Sequence, residues 1–299
     1  MPSPSPGRVT LLATLGLLSV TALWGSTFFL IRDLLERVPT VDFLGVRFAI
    51  ASLAMLAVAP RSIGRLSPDA RRHAVVLGAL YGGAQILQTA GLAHTPASVS
   101  GFITGMYVVS TPLFAAVLLR SRIGALTWVA VLLATVGLAV LSLRGLSVGY
   151  GEGLTFIAAL IYALHIVGLG AWSTPEGAIG MSVLQSLVIA GICLVCAVPG
   201  GVTLRDRTGD WLSVLYMALG AGALALLMQT WAQAHLAPTR SAIIMSMEPV
   251  FAALFAVTLG GETATSRMLV GGALVLTAML IVELVPRRKV EAEVPHLAV

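Results

Sequence analysis

Residues 87–115 read LQTAGLAHTPASVSGFITGMYVVSTPLFA. They leave one apolar block near residue 93, turn at His94-Thr95-Pro96, and enter a second block that continues to residue 119. A block of about 20 apolar residues is what a helix needs to cross a hydrocarbon core of about 30 Å. Blocks of that length recur over 9–31, 40–59, 74–93, 97–119, 125–143, 153–172, 179–199, 211–234, 239–260 and 266–285. In lipid only helices and closed barrels satisfy the backbone, and runs this long without period-2 alternation favour helices over barrel strands. The expected fold is therefore an all-α membrane protein of ten transmembrane helices, joined by short loops.

Composition supports the same class. Of the 299 residues 58% are hydrophobic and 10% charged, against about 25% charged in soluble domains. Soluble enzymes, nucleic-acid binders and disordered scaffolds are excluded by that shortage of water-facing residues. The net charge of +5 comes from Lys and Arg in short loops, a distribution that orients helices in a bilayer and does not point to nucleic acid. With the N-terminus inside, eleven basic residues face the cytoplasm and six, including Arg32, Arg37, Arg205 and Arg207, face out. Both termini are expected to be cytoplasmic. The first seven residues and the tail from Pro286 read as disordered ends. The block after Arg8 reads as a first membrane span and not as a cleaved leader. Cys193 and Cys196 form a C-x-x-C inside an apolar run without a nearby His or carboxylate, so they read as small packing residues. No metal site and no cofactor is expected.

The opening stretch also carries a faint internal repeat. Gln88-Thr89 followed by Ala93-His94 returns as Gln229-Thr230 followed by Ala234-His235, 141 residues on. Pro112-Leu113-Phe114-Ala115-Ala116 returns as Pro249-Val250-Phe251-Ala252-Ala253, 137 residues on. The difference of four is about one helical turn. The expected repeats are 1–145 (spans one to five) and 146–286 (spans six to ten), followed by a cytoplasmic tail over 287–299. Five is odd, so the second repeat enters the bilayer inverted relative to the first. Inverted repeats are an architecture of secondary transporters, whose site lies near the midplane between them.

At this point the chain resembles the drug/metabolite transporter superfamily, in particular its EamA-type members. Trp24-Gly25-Ser26-Thr27 is similar to the family's first-span motif, and Pro39, Phe43 and Arg47 match its Pro-x3-Phe-x3-Arg spacing. Residues 87–115 follow the family pattern almost throughout, and SMEPVFAALFAVTLGGETATSRMLVGGALVL (246–276) resembles its second-repeat signature. One departure is that Arg120-Ser121-Arg122 stands where the family often has Gly-Glu, leaving Glu262 as the only such acid. The resemblance implies a transporter of amino acids or related metabolites, with export as the direction.

The residues that could carry transport are the polar ones inside spans. A charge at the centre of a membrane helix costs at least about 2.5–3.5 kcal/mol and marks a functional candidate. Arg47 and Glu248 are the two that lie deep, roughly 10 Å and 16 Å below the outer surface by helical rise. They are expected to face one polar interior, as a pair or as opposite walls of a cavity. The alternative for Arg47 is that it snorkels to the surface. Glu248 precedes Pro249, which breaks the helical ladder, and a carboxylate there is a candidate proton-coupling site. The alternative is a structural acid bonded to a neighbouring helix. The substrate-facing candidates are Trp24, Ser26, Thr27, Arg47, Tyr81, Gln85, Gln88, Tyr107, Tyr162, His165 and Gln229, with Trp231 and Gln233 as further polar positions. Tyr81, Gln85 and Gln88 share one helical face, where two amides and a phenol could orient a zwitterion. The competing reading is interhelical bonding for the glutamines and interfacial anchoring for the aromatics. Gly78, Gly82, Gly101 and Gly105 read as close-packing faces, and Glu262 as an acid at the N-terminus of the last helix.

The expected function is alternating-access transport of a small polar or amphipathic metabolite across the cell (inner) membrane. The cavity is expected to be lined by spans 1–4 and 6–9, with spans five and ten packed outside. The partners are a small-molecule substrate and the bilayer, with protons as the candidate coupling ion. No nucleic acid and no obligate protein partner is called for. A membrane scaffold or receptor-like protein is the alternative. A lipid-modifying enzyme lacks the close carboxylate sets that Mg²⁺ needs, and a nucleotide-driven pump lacks G-x-x-x-x-G-K-[ST].

Overall fold

The computed structural model describes residues 6–118, 124–144, 147–174, 176–197, 207–225, 228–229, 232 and 244–284. Its helices are α1 (Pro6–Leu35), α2 (Thr40–Val58), α3 (Pro68–Leu92), α4 (Ala97–Thr104), α5 (Met106–Leu118), α6 (Ala125–Ser142), α7 (Tyr150–Trp172), α8 (Ala178–Ala197), α9 (Thr208–Leu215), a π-helical segment π1 (Tyr216–Leu224), α10 (Glu248–Thr258) and α11 (Ser266–Leu284). A short 3-10 turn over Ile63–Arg65 precedes α3. Among the described residues six spans are long and apolar enough to cross a membrane: Val9–Leu35, Thr40–Val58, Pro68–Leu92, Ala97–Leu118, Tyr150–Leu169 and Ala178–Ala197. Ala125–Leu141, Glu248–Thr258 and Ser266–Val282 are shorter apolar helices. The protein is thus a multi-pass membrane protein.

Local chemistry explains where the helices begin. Pro39 and Pro96 are extended residues directly ahead of α2 and α4. Ser67 accepts from the Ala70 amide at 3.2 Å, and Pro68 follows at the first helical position of α3, where a missing N–H costs nothing. Within the spans, hydroxyls donate back to their own helices, as Ser52 does to the Phe48 carbonyl at 2.6 Å and Thr111 to Tyr107 at 2.7 Å. Such bonds let polar residues sit in a bilayer without an open donor. Large apolar side chains face outward, Leu53, Leu132 and Val195 among them at 65%, 67% and 71% exposure. Water would not tolerate so many; lipid does.

The structure departs from the sequence reading in four places. The span expected over 97–119 is present as Ala97–Leu118, with one irregular residue, Gly105, between α4 and α5. The eighth span begins at Thr208 and widens into π1, where the expectation was a regular helix from 211. The first five residues of the ninth expected span, 239–260, lie outside the described residues, and the rest of it is interrupted. Residues 244–245 are helical, Ser246 and Met247 form a turn, and α10 starts at Glu248. Leu143–Arg144 and Ser147–Val148 pair as a two-residue antiparallel hairpin between α6 and α7. The expected disordered ends lie outside the described residues, apart from the start of α1.

The packing has a two-fold pattern. Helix α3 packs on α7, and α1 on π1 and α9; α1 also packs on α10, as α5 does on α7. Helix α2 packs on π1, as α3 does on α8. The pairs α2–α8, α4–α10 and α6–α11 complete the set. Exchanging the first half of the chain for the second converts each of these contacts into another or into itself. That is what two homologous halves produce.

Small residues set how close the halves come. A Cβ on Gly25 would lie 2.6 Å from the Phe251 Cβ, and one on Gly101 would lie 2.6 Å from the Ala252 Cβ. One on Gly105 would lie 2.9 Å from the Pro249 ring. Helix α10 is therefore held against α1 and α4 by backbone-to-backbone approach. Gly78 and Gly82 face Val188 and Ile189 of α8 in the same way.

Glu262 does not serve the last helix. Gly261, with φ of +70°, turns the chain after α10, and the Glu262 amide bonds back to the Ala256 carbonyl at 3.0 Å. The side chain is thereby aimed at α4. It accepts from the Ala97 amide at 2.5 Å and from the Ser98 hydroxyl at 2.6 Å, and it pairs with Arg32 at 3.0 Å. The expected favourable acid at a helix N-terminus is present, but the helix is α4 of the other half. Glu262→Ala leaves these donors open, at a cost of about 1–3 kcal/mol. It is expected to lower the thermal midpoint in detergent more than Glu262→Gln does. Equal midpoints for the three proteins would contradict this reading.

Candidate functional site

The central polar cluster is built on α2, α3, α7 and α8. Tyr81, Gln85 and Gln88 stand on one face of α3, and their neighbours on α7 are Tyr162 and His165. The Gln85 amide donates to the Tyr81 hydroxyl at 3.1 Å. The Tyr162 hydroxyl donates to Gln88 Oε1 at 2.7 Å, and Gln88 Nε2 donates to Thr104 Oγ1 at 3.0 Å. His165 Nε2 is bonded to Gln185 Oε1 at 2.7 Å, and the Gln185 amide donates to the Met181 carbonyl at 3.2 Å. The Tyr81 ring lies 5.6 Å from that of Tyr162 and stacks at 5.0 Å on His165. These bonds fix side-chain orientations, so the cluster is a rigid wall.

Arg47 joins this wall from α2. It is buried, 8% exposed, so it does not snorkel to the surface. Its guanidinium carbon lies 5.4 Å from the Phe48 ring centre and 5.9 Å from that of Phe43. Cation–π attraction of this kind offsets part of the cost of a desolvated charge. No hydrogen bond or ion pair is made by its guanidinium among the described residues. An enclosed cation with open donors is a site for an anionic group.

Glu248 stands opposite in kind. It is the first residue of α10, next to Pro249, at the break in the ninth span. It too has no hydrogen-bond or ion-pair partner among the described residues, and it is only half-buried. The two charges do not pair. Both act electrostatically on the same two phenols, Tyr81 and Tyr162. Arg47 from the first half and Glu248 from the second thus address one interior region.

Other expected site residues are engaged elsewhere. Trp24 Nε1 donates to the Ala221 carbonyl at 2.9 Å, and Ser26 bonds the Tyr216 hydroxyl at 2.7 Å, so both tie α1 to π1. Thr27 donates to its own helix at the Trp24 carbonyl, 2.7 Å away. Gln229 Nε2 contacts Met245 Sδ at 3.7 Å. Tyr107 packs beside Tyr162 and Ala84 and lies within electrostatic reach of the Tyr162 phenol. Trp231 and Gln233 lie outside the described residues. Of the two thiols, Cys193 is buried and Cys196 exposed, and they are not bonded to each other.

Four contributors were not named among the expected site residues. Gln185 is the amide that orients His165, and a lone glutamine inside an apolar span was its signal. Thr104 holds Gln88, and Phe43 and Phe48 flank Arg47; Phe43 stands out only in the Pro-x3-Phe-x3-Arg spacing, and nothing in the sequence separates Thr104 and Phe48 from ordinary core.

A second set of charges closes the end of the bundle where α1 finishes. Arg32–Glu262 at 3.0 Å and Arg37–Asp210 at 3.0 Å both cross between the halves, and Arg37 also holds Asp33 at 2.6 Å. Hydrogen bonds that it donates to Asp33 and Asp210 raise Arg37 above the ordinary arginine range, so it stays cationic at every physiological pH.

Comparison with known proteins accords with this architecture. The model of the EamA-like transporter family matches residues 11–143 and again 149–284. An "Uncharacterized transporter" of Archaeoglobus fulgidus is 31% identical over 279 residues, covering 93% of this chain and 88% of its own. The "Uncharacterized inner membrane transporter YedA" of Escherichia coli K12 is 25% identical over 277 residues, covering 89% of each chain. A crystal structure described only as that of a protein superposes with a TM-score of 0.65 at 20% identity, over 94% of this chain and 99% of its own. That last likeness speaks to the fold alone.

Proposed function

We propose that this chain, which belongs to the EamA-like transporter family, is a secondary transporter that carries a small zwitterionic or amphipathic metabolite by alternating access. Amino acids and related compounds are the favoured class and export the favoured direction. Ten helices, in two inverted halves of five with both termini in the cytoplasm, complete the reading, and the cell (inner) membrane is its place. The observation that carries it is the pair of uncompensated charges: Arg47 in one half and Glu248 in the other, each addressing Tyr81 and Tyr162. A substrate carboxylate fits the open guanidinium, and a substrate ammonium fits the carboxylate. Aromatic rings and the Gln85–Gln88 face supply the walls between them.

Rocking of one half against the other would alter the distance between the two charges while leaving each on its own rigid wall. Helix α10 moves against Gly25, Gly101 and Gly105, flat faces along which a helix can slide. The ion pairs at the α1 end would then be a gate that breaks when that side opens. The break before Glu248 supports a coupling role for its carboxylate, since a discontinuous helix at the midplane is where transporters place substrate and ion sites. Glu248→Gln is expected to keep exchange of substrate between two compartments while losing its response to an imposed pH gradient. A variant that still follows the gradient fully would remove Glu248 from coupling.

The test of the function itself is counterflow in proteoliposomes across a panel of amino acids, nucleosides, polyamines and small aromatic compounds. Saturable exchange confined to zwitterions is the expected result. Folded protein that exchanges nothing in the panel would favour the scaffold or receptor-like alternative.

A further inference from the structure

Two pockets outside the central cluster meet at Ser213. The first, of 670 Å³, is a groove between α1, α9 and α10 lined by Leu23, Phe29, Leu30, Leu212, Phe255 and Leu259. The second, of 530 Å³, is lined by Asp33, Arg37, Arg207, Thr208, Gly209 and Asp210. Ser213 lines both. The result is a charged chamber set over an apolar channel. Leu212 and Leu259 are 63% and 64% exposed, so the channel opens sideways to the hydrocarbon. Along α1 it runs from Ser19 to Leu30, about 16 Å at the helical rise, which is close to half of a hydrocarbon core of about 30 Å. One leaflet's acyl chain has that length.

The chamber selects the headgroup. Its two acids and two arginines balance. Arg37 is already consumed by Asp33 and Asp210. What remains is one exposed cation, Arg207, whose guanidinium has no ion pair among the described residues, and one acceptor, Asp210 Oδ2, which is buried and has no hydrogen-bond partner. The side chain of Asp210 is 5% exposed. Arg207 and the first-turn amides of α9 suit a phosphate, and Asp210, with Asp33 beside it, suits an ammonium that carries N–H donors.

We propose that this composite pocket binds a zwitterionic phospholipid with a primary amine, phosphatidylethanolamine by its chemistry, with the headgroup on Arg207 and Asp210 and one acyl chain in the groove. The occupant touches α1 and α9 at the ion pairs that join the halves, so it stabilises the closed form of this end. The site is independent of which metabolite the central cluster carries.

The test is native mass spectrometry of the full-length protein with equal amounts of dioleoyl phosphatidylethanolamine, phosphatidylcholine and phosphatidylglycerol. Phosphatidylethanolamine is expected to be retained about tenfold over the other two, the scale of one charge-assisted hydrogen bond. Arg207→Gln changes an exposed residue and is expected to abolish that preference. Ser213→Trp blocks the junction and is expected to abolish retention of the lipid. Equal retention of all three lipids, stronger retention of phosphatidylglycerol, or an undiminished preference in Arg207→Gln would each overturn the proposal.

Discussion

Arg47→Met is expected to weaken substrate exchange by at least about tenfold, and by as much as about a hundredfold, while the folded protein keeps its thermal midpoint or gains a little. The two halves of that expectation come from one fact. The guanidinium is buried against Phe43 and Phe48 and makes no hydrogen bond or ion pair among the described residues. Methionine keeps the contact with the two rings and removes the charge. Stability should not fall, because an unpaired buried charge is itself a cost, often of several kcal/mol. Exchange should fall, because a hydrogen-bonded contact to a charged group is worth about 1.5–3 kcal/mol and each 1.4 kcal/mol is about tenfold in affinity. A purely structural arginine gives the opposite pattern: a lower midpoint with exchange intact. Counterflow and a thermal melt on the same preparation separate the two.

Gly25→Ala is the second large effect. The added methyl would stand 2.6 Å from the Phe251 Cβ and 2.8 Å from the Ala252 backbone nitrogen, and backbone cannot swing aside as a flexible side chain can. Helix α1 must therefore move off α10, the contact that brings Glu248's helix against the first half. Overpacking of this kind costs about 1–3 kcal/mol, and here it also displaces a wall of the proposed cavity. Lower thermal stability together with lost exchange is the expected outcome. Gly83→Ala is the control, since nothing lies within 4 Å of a Cβ there, and it should match the unaltered protein in both assays. If Gly25→Ala behaved like Gly83→Ala, close approach of α1 and α10 would not matter to transport.

Much of this architecture is legible in the chain. Apolar blocks of membrane length mark the spans, because the bilayer imposes a length that soluble cores do not. Two short motifs at offsets of 141 and 137 residues point to the halves, and the helix contacts and the two-part family match agree with them. Arg47 and Glu248 stand out because charge inside an apolar run has a cost that selection must justify.

The rest was hidden for physical reasons. Residues 97–119 stay apolar straight through Gly105, so hydropathy carries no sign of the single irregular residue between α4 and α5. The π-helical register of Tyr216–Leu224 depends on how α1 and α2 pack against it, which no local pattern records. Glu262 bonds residues about 165 positions away, and a local reading assigned it to the helix that follows. Trp24 and Ser26, expected at the cavity, bond to π1. Polarity inside a span signals a partner without saying whether the partner is substrate or helix.

The central claim is that Arg47 and Glu248 hold the two charges of one substrate. Counterflow in proteoliposomes tests it most directly when the best exchanging amino acid is compared with its carboxamide, which lacks the carboxylate, and its N-acetyl form, which lacks the ammonium. The account predicts saturable exchange of the zwitterion and at least about tenfold weaker exchange of each singly altered analogue. Equal exchange of all three would contradict it.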